Sequence, residues 1–158
     1  MNITKGQQAP HFALYDTEKN KVQLSDYREK NVLLLFFPLA FTSTCTKELC
    51  SVRDNIGLYN NANAVVFGIS IDSAYTLKKY KEEQQLNFTL LSDFNKAASK
   101  AYDVLYDVFP SMEMEGVSKR AAFVIDKNGI IQYAEVCATP GDLPDFNAIN
   151  AALELLNA

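Results

Sequence analysis

Apolar and polar positions along the chain fall into a succession of short strand-like and longer helix-like stretches. Phe12 to Tyr15 and Lys21 to Leu24 alternate with period two, and the polar Asp16 to Asn20 between them completes a predicted N-terminal hairpin. Val32 to Phe37 is an unbroken run of bulky apolar residues, the pattern of a strand buried on both faces, and it stops at Pro38. Ser43 to about Tyr59 is helix-compatible; hydroxyl residues at its start can accept hydrogen bonds from unpaired amides, and Gly57 is expected to fray its end. Ala64 to Ile71 repeats the buried-strand pattern, and Ala74 to Gln85 follows as a helix with an apolar face among many Lys and Glu. Asn95 to Tyr102 is a short predicted helix, after which a long acidic connection runs through Pro110 and Gly116. Ala121 to Ile125 and Ile130 to Val136 flank Asp126-Lys127-Asn128-Gly129, the strongest hairpin signal in the chain, and a last helix covers roughly Asp145 to Leu156.

Strands alternating with helices predict an α/β fold: a mixed central sheet with a parallel centre, an antiparallel hairpin at one side and helices on both faces. The chain carries no internal repeat, low-complexity tract or Pro/Gly/Ser-rich linker, so residues 1–158 are expected to form one domain. Nearly half of the 158 residues are apolar, enough for a sizeable core.

Charge narrows the partners. A formal net charge of -4 and a pI near 5.0 argue against nucleic acid or an anionic membrane surface, each of which calls for a basic face. The first residues, MNITKGQQAPHF, lack the apolar core of a signal peptide, and the longest apolar run, Val32 to Phe41, is too short to span a bilayer. The expected location is the cytoplasm. Three cysteines in that reducing compartment do not suggest a disulfide framework, which leaves chemistry as the use for at least one of them.

The informative stretch is Pro38-Leu39-Ala40-Phe41-Thr42-Ser43-Thr44-Cys45-Thr46-Lys47-Glu48-Leu49-Cys50, which sets Cys45 just past a buried strand and in the first turn of a helix. Ligands of open α/β sheets bind at such junctions. Unpaired amides and the positive end of the helix dipole favour an anion there, so a thiol is expected to ionise more readily than its free value of about 8.5, and the thiolate is the nucleophile. Thr42, three residues earlier, is placed for its hydroxyl to lie beside the sulfur, and Pro38 stiffens the turn and shields the sulfur from water.

Pro38, Thr42 and Cys45 form the pattern Pro-x-x-x-Thr-x-x-Cys, and on it the chain resembles the peroxiredoxin family. Gly6 to Leu14, Leu90 to Asp93, Ala101 to Val104 and Phe123 to Ile130 extend the resemblance over nearly the whole length, with His11 departing from the usual acidic residue after the Ala-Pro pair. The resemblance implies a thioredoxin-like fold and a thiol-dependent peroxidase, with Cys45 as the sulfur that attacks hydrogen peroxide or an organic hydroperoxide and becomes a sulfenic acid. It also implies that Arg120, directly before the Ala121 strand, stabilises the departing oxygen and that Glu48 orients this arginine.

Cys50 lies five residues after Cys45 in the same predicted helix, a rise of about 7.5 Å and a turn of about 140°, which sets the Cα atoms roughly 8 to 9 Å apart. A disulfide requires Cα atoms within about 7 Å, so linking the two demands unwinding of the first helical turns. The Cys-Thr-x-Glu-x-Cys arrangement resembles the bacterioferritin-comigratory or Q-type peroxiredoxins, in which the second cysteine resolves the sulfenic acid, whereas Phe36 to Thr42 is closer to the E-type alkyl hydroperoxide reductases, which commonly lack it. Cys137 reads as a core or surface thiol, with a role between molecules left open, and Met112 and Met114 as loop or packing residues. No metal or organic cofactor is expected: His11 is the only histidine, and Cys45 with Cys50 is too sparse for a closed zinc site. The expected partners are a peroxide and a thiol reductant, either thioredoxin, glutaredoxin or a small thiol, for a monomer or homodimer. A general thiol-disulfide oxidoreductase would carry Cys-x-x-Cys, which is missing, and a phosphate- or FMN-binding module would place glycine in the Thr42 to Thr46 loop, which has none.

Overall fold

The computed structural model describes residues 3–157. Seven strands form one sheet in the order β2-β1-β5-β4-β3-β6-β7. The hairpin β1 (Ala13–Asp16) and β2 (Lys21–Gln23) lies at one edge, and a 3₁₀ turn (Leu24–Tyr27) leads into β3 (Asn31–Phe36). Next come α1 (Ser43–Asp54), α2 (Ile56–Asn61), β4 (Ala64–Ser70), α3 (Ala74–Gln84), β5 (Thr89–Ser92) and α4 (Ala97–Ala101). The second hairpin, β6 (Ala121–Ile125) and β7 (Ile131–Val136), and then α5 (Phe146–Leu156) follow. β3, β4 and β5 run parallel, while β6 pairs antiparallel with both β3 and β7. This is the expected mixed sheet with helices on both faces, carrying the N-terminal hairpin of the thioredoxin-like fold.

β3 explains why its run is continuously apolar. Leu33 and Leu35 point into the layer shared with α1, α3 and α5, and Val32, Leu34 and Phe36 into the layer with α4 and the N-terminal hairpin. All six residues of this strand are buried, so no position on it is left for a polar side chain to face water.

Two expectations are corrected. The single helix over Ser43 to Tyr59 breaks at Asn55, whose backbone (φ -120°, ψ 23°) ends α1 and opens α2. Its side-chain amide donates to the Ser51 carbonyl at 2.8 Å, a local bond that competes with helix propagation. The second correction is β5, a four-residue strand that the hydrophobic pattern left unassigned between two helices. It exists because Thr89 to Ser92 pair with Phe67 to Ser70 of β4 and Leu91 and Ser92 with β1, a tertiary pairing that closes the gap between the two halves of the sheet.

α4 is shorter than expected, and the carboxylate of Asp93 accepts from the amides of Ala98 (3.0 Å) and Ser99 (2.7 Å) at its start. Ser73 and Asp145 cap α3 and α5 by accepting from Thr76 and Ala148. Among the described residues, no helix is long and apolar enough to cross a membrane.

Candidate active site

The end of β3 feeds Phe37, Pro38 and a short loop into the first turn of α1. Pro38 is buried, and the loop is tied down by Asp72, whose carboxylate accepts from the Ala40 amide (2.8 Å) and from the Ser70 hydroxyl (2.7 Å). Phe41 adopts a positive φ of 67°, a costly conformation for a bulky residue, and packs its ring 4.9 Å from that of Tyr80. Cys45 is the third residue of α1 and is buried. Its sulfur therefore sits where the helix leaves amides unpaired and the dipole is positive.

Thr42 occupies the position before the helix but does not cap it with its side chain. Its hydroxyl instead donates to the Leu39 carbonyl at 2.8 Å. The expected side-chain capping of α1 by Thr42 is thus absent, its hydroxyl being turned to the loop carbonyl instead. The hydroxyl's proton is committed to Leu39, which leaves its oxygen lone pairs as the part able to meet a peroxide.

Arg120 arrives from the far side of the sequence. Because β6 runs antiparallel to β3 with Ala121 opposite Phe36, the residue before Ala121 lies beside the end of β3, where the Cys45 loop begins. Its Nη1 donates to Cys45 Sγ at 3.2 Å and to Glu48 Oε1 at 2.7 Å, and its Nη2 donates to the Pro140 carbonyl at 3.0 Å. Arg120 and Glu48 are both inaccessible to solvent, at 1% and 0% exposed. Burial pushes the guanidinium down, but Glu48 and Cys45 outweigh it and hold Arg120 above its ordinary value. For Glu48 the balance is reversed: burial raises the carboxyl to about 7, with Arg120 pulling it back only in part and Glu135 adding to the rise.

A neutral donor-acceptor site would need none of this. A sulfur, a buried guanidinium and a buried carboxyl converge on one point where the end of β3 meets the start of β6. The sequence profile of the AhpC/TSA family matches residues 5–134.

The chain belongs to the AhpC/TSA family of peroxiredoxins. It is 39% identical over 159 residues to alkyl hydroperoxide reductase E of Mycobacterium tuberculosis, covering 99% of each chain. It is also 37% identical over 131 residues to the chloroplastic peroxiredoxin Q of Oryza sativa, covering 83% of this chain and 58% of that one. Among solved structures, the reduced 2-Cys peroxiredoxin of Plasmodium vivax superposes with a TM-score of 0.86 at 29% identity, covering 98% of this chain and 82% of the other. Family membership makes this peroxiredoxin a thiol-dependent peroxidase.

The thiols of Cys50 and Cys137 lie outside the Cys45–Arg120–Glu48 hydrogen bonds. Cys50 lies in the same unbroken α1 as Cys45, and its thiol donates to Gln84 Oε1 across a 3.7 Å contact with α3. All three cysteines are free. Cys137 is buried just past β7, where its amide donates to the Arg120 carbonyl (2.8 Å), and burial pushes its thiol up to about 11, a neutral packing group.

Several supporting residues escaped the sequence reading. Thr46 donates to the Thr42 carbonyl (2.8 Å) and accepts from the Tyr80 hydroxyl (2.8 Å), tying the first turn of α1 to α3. Arg53 Nη1 donates to the Gln84 carbonyl (2.6 Å) and fixes the other end of α1. Asp72 and Pro140 act through contacts between segments distant in sequence, so no local spacing announces them.

The raised Glu48 value also sets a pH dependence of stability. A carboxyl whose folded value exceeds its unfolded one stabilises the fold below the unfolded value, and that stability is lost as pH rises through the folded one. From 4.5 to about 7 the loss is on the order of 3 kcal/mol at about 1.4 kcal/mol per unit. Urea unfolding of the wild type at pH 5 and pH 8 is expected to show this decline, and Glu48→Gln is expected to flatten it. An equal decline in the variant would assign the effect to other groups.

Proposed function

We propose that Cys45 is the attacking sulfur of this peroxidase, that Arg120 stabilises the oxygen it expels, and that Cys50 resolves the product. The observation that carries the reading is the 3.2 Å contact between Arg120 Nη1 and Cys45 Sγ inside a water-excluded pocket at a helix start. A sulfur electron pair forms the S–O bond while the peroxide O–O bond breaks and its pair departs on hydroxide or alkoxide. Fixed guanidinium donors strengthen as charge grows on that oxygen, which is where such groups contribute most to rate. Pro38 limits water at the sulfur, Thr42 presents its hydroxyl oxygen to the peroxide proton, and Glu48 holds Arg120 in place.

The resulting sulfenic acid then condenses with the Cys50 thiol, releasing water and forming a disulfide. Since both lie in α1, resolution requires the segment from Thr42 to about Arg53 to unwind, breaking the Thr46–Tyr80, Cys50–Gln84 and Arg53–Gln84 bonds. A thiol reductant of the thioredoxin, glutaredoxin or small-thiol class restores the dithiol by exchange, in the cytoplasm.

Mass spectrometry after one equivalent of peroxide is expected to show a Cys45–Cys50 link. A lasting sulfenic acid on Cys45 with Cys50 still free would rule out Cys50 as the resolving thiol. Stopped-flow consumption of hydrogen peroxide and of an organic hydroperoxide by the same protein identifies the preferred substrate.

A further inference from the structure

We propose that Glu48 is the proton store of the reaction: its carboxyl holds a proton while Cys45 carries negative charge, and releases it as the sulfur is oxidised, so that the departing oxygen is neutralised from within the site. The inference rests on Cys45 being the attacking sulfur.

The geometry sets one cation against two acids. The same nitrogen, Arg120 Nη1, meets Cys45 Sγ and Glu48 Oε1, while Nη2 is taken by the Pro140 carbonyl. Two anions and one guanidinium in a site excluded from water would leave a buried charge without compensation, and proteins avoid that by keeping a proton. Glu48 has the place for it. Oε1 accepts from Arg120, whereas Oε2 is buried with no hydrogen-bond partner, a place that costs less for a neutral O–H than for a carboxylate oxygen.

The neighbours do not compete for this proton. Tyr80, facing the pair from α3, is pushed up to about 12 by burial, and Cys137, beyond β7, to about 11, so both stay neutral. Glu135 of β7 accepts from the Tyr133 hydroxyl and the Asp145 amide, and its charge favours a protonated Glu48. Burial, the first cause of the raised Glu48 carboxyl, acts in the same direction.

The balance closes. Thiolate, hydroperoxide and carboxylic acid become sulfenic acid, alcohol or water, and carboxylate: two electrons pass from sulfur into the broken O–O bond, and one proton passes from Glu48 to the departing oxygen. Arg120 then faces one anion, as it did before, with the charge moved from the sulfur to the carboxylate.

Infrared difference spectroscopy tests this in Cys50→Ser, where the sulfenic acid persists and α1 stays wound. One equivalent of hydrogen peroxide at pH 6 is expected to remove a deuterium-sensitive C=O band of a neutral carboxylic acid. The band should be missing from the Cys50→Ser/Glu48→Gln protein. A band that survives oxidation, or none in the reduced protein, overturns the proposal. Glu48→Gln, which keeps an oxygen for Arg120, is expected to reduce peroxide about 100-fold more slowly at pH 6, a typical size for a lost proton donor. Its rate should not drop between pH 6 and 8, where the wild type loses its stored proton and slows. Wild-type rate and pH profile in this variant would mean that Glu48 only orients Arg120. Turnover in Cys45→Ser would instead defeat the underlying assignment of the sulfur, a distinct result.

Discussion

Replacing Cys45 with serine is expected to lower the second-order rate of peroxide consumption by at least about 10⁴-fold, since loss of a nucleophile removes the step on which every other group acts. Serine preserves the size of the side chain and can still accept a bond from Arg120 Nη1, so the fold and its thermal transition should change little. A hydroxyl at neutral pH is un-ionised and a poor nucleophile toward a peroxide oxygen, whereas a thiolate is soft and polarisable. Stopped-flow measurement of peroxide loss, with circular dichroism as the control for folding, decides the matter. Activity within tenfold of wild type would transfer the chemistry to Cys50 or Cys137.

Arg120→Met carries the second large effect, and it acts on both rate and stability. Removing preorganised donors from a developing oxyanion costs about 10² to 10³ in rate, so the variant should retain a slow, measurable peroxidase. Methionine fills much of the space but leaves Glu48 with no cation, and severing a buried ion pair in this way costs about 3–5 kcal/mol when the remaining group is charged. Because burial favours the neutral carboxyl and Arg120 is what opposes it, the destabilisation should be smaller at pH 5 than at pH 8. Arg120→Lys tests geometry separately from charge. A lysine ammonium is a point charge that cannot hold Cys45, Glu48 and the Pro140 carbonyl with one planar fork, so it should recover stability better than rate. If the methionine variant reduced peroxide at the wild-type rate, the 3.2 Å contact would have no catalytic meaning.

Unwinding connects the chemistry to the mechanics of α1. The helix is held at its first turn by the Thr46 to Tyr80 bond and near its end by Arg53 on Gln84, while Cys50 touches the same Gln84 from between them. Each of these contacts lies between α1 and α3, but Leu49 and Val52 are buried in the layer under β3 and Glu48 holds Arg120, so opening the helix also uncovers part of the core.

Much of this protein is written in local pattern. The apolar run Val32 to Phe37, Pro38 behind it and Cys45 three residues into a helix are all near neighbours in sequence, and period, punctuation and helix dipole act over such distances. These features made both the α/β class and the sulfur at the strand-to-helix junction legible. The break at Asn55 was not, because it depends on whether one side-chain amide bonds back to Ser51, a choice that average helix propensity does not register. β5 was not legible either, since four residues carry too little periodicity and become a strand only by pairing with β4 and β1.

The site divides along the same line. Sequence alone settled which sulfur stands at a strand-to-helix junction and that both cysteines of α1 share one helix. What it cannot contain is the register that sets Ala121 opposite Phe36, yet that register is what carries Arg120 across 75 positions to the sulfur. Nor does it contain the dryness that keeps a proton on Glu48, because electrostatic energy depends on solvent exclusion and on distances between charges, and both come into being only when the layers close.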